Sequence, residues 1–169
     1  MIDNPPLLTI HRGHRRPDSR LIEAFRGAQT SHLVDAMGGR GALDHRIKPM
    51  DPDNAAFVGP ALTALSYPAD VVGVFGALAE AQPGDVVVIA NDAYTATAVV
   101  GDIVAGMMKN KGIAAFVTDG LARDRAGIVA TGLPLFAAGI IPASPAANGR
   151  AVVGAPVTLG GQHVRPGDI

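Results

Sequence analysis

Apolar positions in this chain come in short runs broken by glycine, proline and polar turns, a rhythm of brief strands and helices rather than long ones. The most legible stretch starts at the Pro83-Gly84-Asp85 turn. The β-branched run Val86-Val87-Val88-Ile89-Ala90 after it reads as a strand buried on both faces. Residues 91–97 form a polar connection. Over residues 99–111 the apolar positions Ile103, Val104, Met107 and Met108 recur at helical spacing, with Lys109 and Lys111 in the last turn and Gly112 as the stop. Residues 113–117 give a second buried strand, closed by Asp119-Gly120. A strand–helix–strand unit predicts two parallel neighbouring strands joined by a right-handed crossover.

The flanking segments carry weaker signals. Residues 19–26 have helical character, with Asp18 or Ser19 as N-cap and Gly27 as the stop. A second helix runs from Thr30 or Ser31 to Met37, ended by Gly38-Gly39. Residues 61–67 read as a strand, and Asp70 caps a helix reaching about Ala81. Residues 128–132 form a short return segment, 134–137 a strand, and 151–169 short strands and turns. Residues 1–18 read as an arm before a single domain at 19–169. Its basic stretch, His11-Arg12-Gly13-His14-Arg15-Arg16, is either an anion-binding or nucleic-acid patch or a solvated arm that packs on a neighbouring subunit. Pro166-Gly167-Asp168-Ile169 repeats the turn before residue 86, so a further strand is expected where the sequence stops.

Composition narrows the class. The length of 169 residues suits one domain with a sizeable core. Aromatic residues make up 4% and Trp is absent, so the interior is built from Val, Ala, Leu and Ile. A formal net charge of −1 provides no global field for nucleic acid or an anionic membrane. With no cysteine there is neither a disulfide framework nor a thiolate ligand or nucleophile. No apolar run reaches the roughly 18–20 residues that span a bilayer, and no basic-then-apolar leader opens the chain. A cytoplasmic protein is the expectation. No P-loop or dinucleotide fingerprint is present.

The strand–helix–strand unit also predicts where chemistry would sit. About 11 helical residues span roughly 16 Å, and a returning strand of about 6 residues spans roughly 20 Å. The first strand's end at Asn91, the helix start at Gly101-Asp102 and the segment 119–124 therefore share one sheet edge, where open α/β sheets bind ligands. Amides of Gly101, Asp102, Ile103 and Val104 form a helix N-terminus suited to an anion. Asp102 and Asp124, with no nearby His or Cys, suit a hard cation such as Mg²⁺ or Mn²⁺. Arg123 offers a permanently charged fork for a developing oxyanion. The edge could thus hold a 2-oxo acid whose enolate is stabilised by metal and guanidinium. The same pattern also fits a helix-dipole partner and a surface salt bridge. His32 and Asp35 could face the site or only their helix surface, and His45 and His163 lack metal-ligand spacing.

The run from Gly101-Asp102 through Asp119-Gly120-Leu121-Ala122-Arg123-Asp124 resembles the signature of the RraA-like family. Supporting similarity lies in residues 30–38, Val58-Gly59-Pro60-Ala61 and Gly132-Leu133-Pro134-Leu135-Phe136. The family includes 4-hydroxy-4-methyl-2-oxoglutarate / 4-carboxy-4-hydroxy-2-oxoadipate aldolases and the regulator of ribonuclease E activity. The resemblance implies a swivelling β/β/α domain with a mixed sheet, assembled as homotrimers or hexamers with sites between subunits. It implies that Asp124 holds the metal largely through water, that Asp102 orients that water, and that Arg123 stabilises the pyruvate enolate oxygen. The Gly101–Val104 amides would take the pyruvate carboxylate. The activity implied is a class II pyruvate aldolase, with oxaloacetate decarboxylation through the same enolate; the alternative is a non-catalytic regulator that binds a ribonuclease or another protein. Two departures stand out. Gly127 occupies a position where the aldolase pattern has an acid, for which Asp119 or a neighbour's carboxylate would have to substitute. The family's C-terminal strand and helix are also not found before Ile169.

Overall fold

The computed structural model describes residues 4–169. In chain order the elements are β1 (Leu8–Ile10), α1 (Ser19–Ala24), α2 (Thr30–Ala36), β2 (Lys48–Pro49), β3 (Ala61–Ser66), α3 (Val72–Glu80), β4 (Val86–Ala90), β5 (Ala98–Val100), α4 (Asp102–Asn110), β6 (Ala115–Thr118), β7 (Leu121–Ala122), α5 (Arg125–Thr131), β8 (Leu135–Ala137), β9 (Ala151–Val153), β10 (Val157–Leu159) and β11 (Gln162–Val164).

Every residue of β4 is buried, which is what an unbroken β-branched run dictates, and β4 accordingly lies at the centre of a seven-stranded sheet. The order is β1-β9-β3-β4-β6-β8-β2, with β3, β4, β6 and β8 mutually parallel. β9 runs antiparallel to β3, and β2 antiparallel to β8, so the sheet is mixed. Alternate side chains of the central strands feed two separate cores. Val87, Ile89 and Phe116 meet α3, α4 and α5 through Val74, Met108 and Ile128. Val86, Val88 and Val117 face the β10–β11 hairpin through Val157 and Leu159. Hairpin, sheet and helices form the β/β/α layering that the resemblance implied.

Parallel pairing of β4 with β6 matches the predicted unit, with Val86 opposite Ala115 and Ile89 opposite Thr118. Asp70 caps α3 from just outside it, its Oδ1 accepting the Val72 N–H at 2.8 Å. Asp18 does the same for α1, accepting from the Arg20 N–H at 2.7 Å.

Four segments differ from expectation. The arm at 1–18 is not wholly outside the sheet: Leu8 and Ile10 belong to edge strand β1, in parallel register with Ala151 and Val153. Its basic residues are partly used within the chain. Arg12 holds Glu80 through two hydrogen bonds of 2.7 and 2.6 Å, and Arg16 pairs with the buried Asp85 at 2.6 Å. Second, the helix predicted from Val99 starts only at Asp102, because Val99 and Val100 extend into β5 and Gly101 is extended as the N-cap. Third, the return segment at 128–132 is the second half of a helix, α5. Last, the repeated Pro-Gly-Asp turn pairs with the start of β3: the Ala61 N–H donates to the Asp168 carbonyl at 2.7 Å and Gly167 N–H returns a bond to Ala61. Among the described residues, no helix is long and apolar enough to cross a membrane.

Phe116 has no exposed surface and is the largest fully buried side chain. Phe116→Ala should lower the unfolding free energy by about 3–5 kcal/mol, read from urea denaturation. Leu21→Ala, at a side 49% exposed, should change it by no more than about 0.5 kcal/mol.

Candidate active site

The site is built on a two-stranded parallel ribbon beside the main sheet. β5 pairs with β7, and the Arg123 N–H donates to the Val100 carbonyl at 3.0 Å. Gly101 therefore lies directly across from the Arg123-Asp124 turn. A Cβ at residue 101 would lie 2.8 Å from Asp124 Oδ2 and 3.1 Å from both Arg123 Cγ and Nε, so only glycine fits without displacement. Asp124 is the N-cap of α5 and sits in the left-handed region at φ 57°, ψ 43°, a conformation that Asp tolerates better than most side chains. One turn on, a Cβ at residue 127 would lie 2.5 Å from Asp102 Oδ2. The first turns of α4 and α5 thus abut, with Asp102 against Gly127 and Asp124 against Gly101.

Arg123 faces a cavity of about 250 Å³ between this junction, α3 and residues 144–147. Its Nε lies 3.1 Å from Asp124 Oδ2 and its Nη1 donates to Ser144 Oγ at 2.5 Å. The remaining walls are mostly apolar, from Val71, Phe75, Val99 and Val104. Of the residues predicted from sequence, Gly101, Val104 and Arg123 line the cavity. Asp102, Ile103 and Asp124 do not line it and lie at the adjoining helix junction. Ile103 has a side 72% exposed. Its amide was expected among the anion donors, but it already bonds Asp102 Oδ1 at 2.7 Å. The other donors predicted at that turn are the amides of Gly101, Asp102 and Val104.

Asp119 does not replace the acid that Gly127 lacks. It is buried, and its two carboxylate oxygens accept the Asn91 N–H at 2.7 Å and the Ala93 N–H at 3.1 Å. Asn91 in turn donates from Nδ2 to the carbonyls of Ser66 and Tyr67, so this pair ties together the ends of β3, β4 and β6. Desolvation pushes the Asp119 carboxyl above the usual carboxylate range, against the pull of its amide partners. His32 and Asp35 sit on α2, away from Arg123; Asp35 borders a separate hollow of about 580 Å³ with Leu33, Met37 and Leu43. Among the described residues, no group of three or more His, Cys, Asp or Glu is placed to hold a metal ion.

Ser144, Val71 and Phe75 are among the cavity residues that the sequence did not disclose. Ser144 lies in a stretch with neither apolar period nor charge, where Ser144-Pro145 signals only a turn.

The buried Asp119 gives a pH signature. Its raised native pKa means that the folded chain holds this proton where the unfolded chain has lost it. Its stabilising contribution is full below the unfolded value of about 3.9 and fades as pH rises through the native value. The stability of wild type relative to Asp119→Asn, from urea midpoints, should therefore fall as pH rises from about 3.5 to 7. An unchanged difference would contradict desolvation as the dominant influence.

Comparison with known proteins agrees with this architecture. The family described as RraA-like, Aldolase/RraA, matches residues 30–169. A protein of Halalkalibacterium halodurans named "Putative 4-hydroxy-4-methyl-2-oxoglutarate aldolase" is 38% identical over 148 residues, which are 88% of this chain and 70% of that protein. The solved structure of the RNA-processing inhibitor RraA from Thermus thermophilis superposes with a TM-score of 0.75 at 28% identity, covering 83% of this chain and 84% of that one. An unusual member of the RNase ES inhibitor RraA family from Streptomyces coelicolor gives a TM-score of 0.78 at 27% identity, covering 92% and 81%. A family match over most of the chain, a relative at 38% identity and the shared fold agree, and this chain belongs to the RraA-like family.

Proposed function

We propose that this protein is a divalent-metal-dependent lyase that cleaves 4-hydroxy-2-oxo diacids to pyruvate and a second 2-oxo acid, and that it also decarboxylates oxaloacetate. The observation that carries this reading is Arg123, a fixed guanidinium lining an otherwise largely apolar cavity beside the amides of a helix N-terminus. A 2-oxo acid fits that arrangement at two points. Its carboxylate suits the Asp102 and Val104 amides, where the helix end adds a favourable field. Its 2-oxo oxygen gains negative charge as the C3–C4 bond breaks, and a guanidinium in a partly dry pocket stabilises that charge far better than it would in water.

The donor chemistry suits Mg²⁺ or Mn²⁺. Asp124 has one oxygen engaged by Arg123 and a second free, on a side chain 45% exposed. Asp102 has Oδ2 left after Oδ1 takes the Ile103 amide. Two carboxylates flanking one junction, without His or Cys, match a hard cation that keeps most of its water. Asp124 would hold the ion and Asp102 would orient its water; bound there, the ion supplies Lewis-acid polarisation of the 2-oxo group. Apolar side chains left exposed at Met37, 54%, and Ile140, 53%, support assembly into a homotrimer or hexamer. A cytoplasmic setting accords with the lack of cysteine.

Gly127 favours a second reading, that of a regulator docking on a protein partner, because it withholds a carboxylate from the junction. Pyruvate release from oxaloacetate and from 4-hydroxy-4-methyl-2-oxoglutarate, with Mg²⁺ and with a chelator, separates the two. The lyase reading expects turnover that the chelator abolishes. It also expects Arg123→Ala to lower kcat by about 10²–10³ while the melting temperature holds. No metal-dependent turnover of either substrate would sink it in favour of the regulator.

A further inference from the structure

We propose that Ser144 is a positioning residue for Arg123, carried on a loop at residues 143–149 that the buried Asp70 pins to the sheet edge. The inference concerns the site of the proposed lyase and, for its kinetic consequences, rests on that reading.

An arginine side chain reaching into a cavity has many rotamers, and its usefulness to a ligand depends on how many are removed beforehand. Here two contacts from different segments fix the plane of the guanidinium. Asp124 lies against Nε at 3.1 Å, and Ser144 Oγ accepts from Nη1 at 2.5 Å. One contact alone would leave the head free to swing about it; two at opposite ends do not. Of the five N–H donors, those on Nη2 and the second on Nη1 remain for a ligand.

Ser144 can do this only if its loop is held, since its own side is exposed and it belongs to no strand or helix. The loop is held by backbone and by one carboxylate. Ala98 N–H donates to the Ala143 carbonyl at 2.9 Å, and Val71 N–H donates to Ala146 at 3.0 Å. Ala146 N–H donates to Ala69 at 2.7 Å, where Ala69 takes a left-handed φ of 61°. Asp70, 3% exposed, gathers three amides. Its Oδ2 accepts from Asn148 N–H at 2.8 Å and Gly149 N–H at 2.6 Å, while Oδ1 caps α3 through Val72 N–H. A Cβ at residue 149 would come within 2.7 Å of the Asp70 carboxyl carbon, so Gly149 is what lets the loop close onto it. Charge-assisted bonds to amides from both sides make Asp70 a pin joining α3 to the loop. The line of contact runs Asp70, loop, Ser144, Arg123, and the cavity lies at its end.

The test reads Arg123 directly. Side-chain ¹⁵N spectra, with the Arg123 signal assigned by its loss in Arg123→Lys, report rotation of the guanidinium head. Slow rotation is expected in wild type, faster rotation in Ser144→Ala and in Asp70→Asn, and slow rotation again in Ser144→Thr, which keeps the hydroxyl. In the same proteins kcat for the proposed cleavage should fall about 10- to 100-fold in Ser144→Ala and recover in Ser144→Thr, at unchanged melting temperature. Equal Arg123 rotation in wild type and Ser144→Ala would overturn the proposal. Should Asp70→Asn fail to fold, the Ser144 pair decides alone, because that side chain is exposed. If wild type shows no turnover, the lyase reading falls while the spectra still decide the role of Ser144.

Discussion

The close approach of two helix N-termini is the constraint on which the site depends. α4 and α5 meet at their first turns, and at each point of contact one partner has no side chain: Gly101 beneath Asp124, Gly127 beneath Asp102. Two such ends carry partial positive charge, and bringing them together would be unfavourable on electrostatic grounds alone. Asp102 and Asp124 stand in those turns and offset the cost. Arg123 and Arg125 flank Asp124, so the junction holds two negative side chains and two positive ones. On the proposed lyase reading, the same carboxylates that make the helix contact tolerable would also serve the cation.

The main sheet fixes where this junction falls. β4 and β6 run parallel in register, so their ends at Ala90 and Thr118 lie close to level. The chain leaving each end is locked to the other, because the carboxylate of Asp119 receives the amides of Asn91 and Ala93. From that tie the two segments run on as β5 and β7, and their parallel pairing delivers Gly101 and Arg123 side by side. A buried carboxylate satisfied by backbone amides is a rigid joint. It holds the origin of the ribbon, and the ribbon's short length leaves little room for error at its far end.

Much of this was legible in the residues. The β-branched run of β4 announced a buried central strand, and the spacing of Ile103, Val104, Met107 and Met108 announced a helix. Together they brought Asp102, Arg123 and Asp124 to one edge. The misreadings have physical causes. Val99 and Val100 fit the helical period numerically, but β-branched residues before an extended glycine pair as a strand more readily. α5 escaped notice because its first turn is Arg125-Ala126-Gly127, with no apolar period, and its N-cap is left-handed. β1 is three residues long and owes its place to β9, more than 140 positions away, a pairing that no local pattern encodes. Ser144 is the same kind of case. Its relation to Arg123 is made by a loop whose anchor, Asp70, reads locally as nothing more than a helix cap.

Gly127 changes meaning once its surroundings are known. From sequence it is the loss of an acid; in the fold it is the space that the Asp102 carboxylate occupies. A Cβ at residue 127 would meet Asp102 Oδ2, Cβ and Cγ at 2.5, 2.6 and 2.9 Å. Backbone of a helix and a short side chain at the start of its neighbour leave few ways to relieve such an overlap. An acidic side chain at 127 and the present placement of Asp102 therefore exclude one another, and the junction accommodates one carboxylate at that point rather than two. Buried Asp119 is committed to amides, so it does not supply another. On the proposed lyase reading, any oxygen ligand beyond Asp124 and Asp102 has to be water or come from outside this junction. That fits Mg²⁺, which gives up its water reluctantly and is commonly held by one or two carboxylates. It fits poorly with cations that demand a full protein cage.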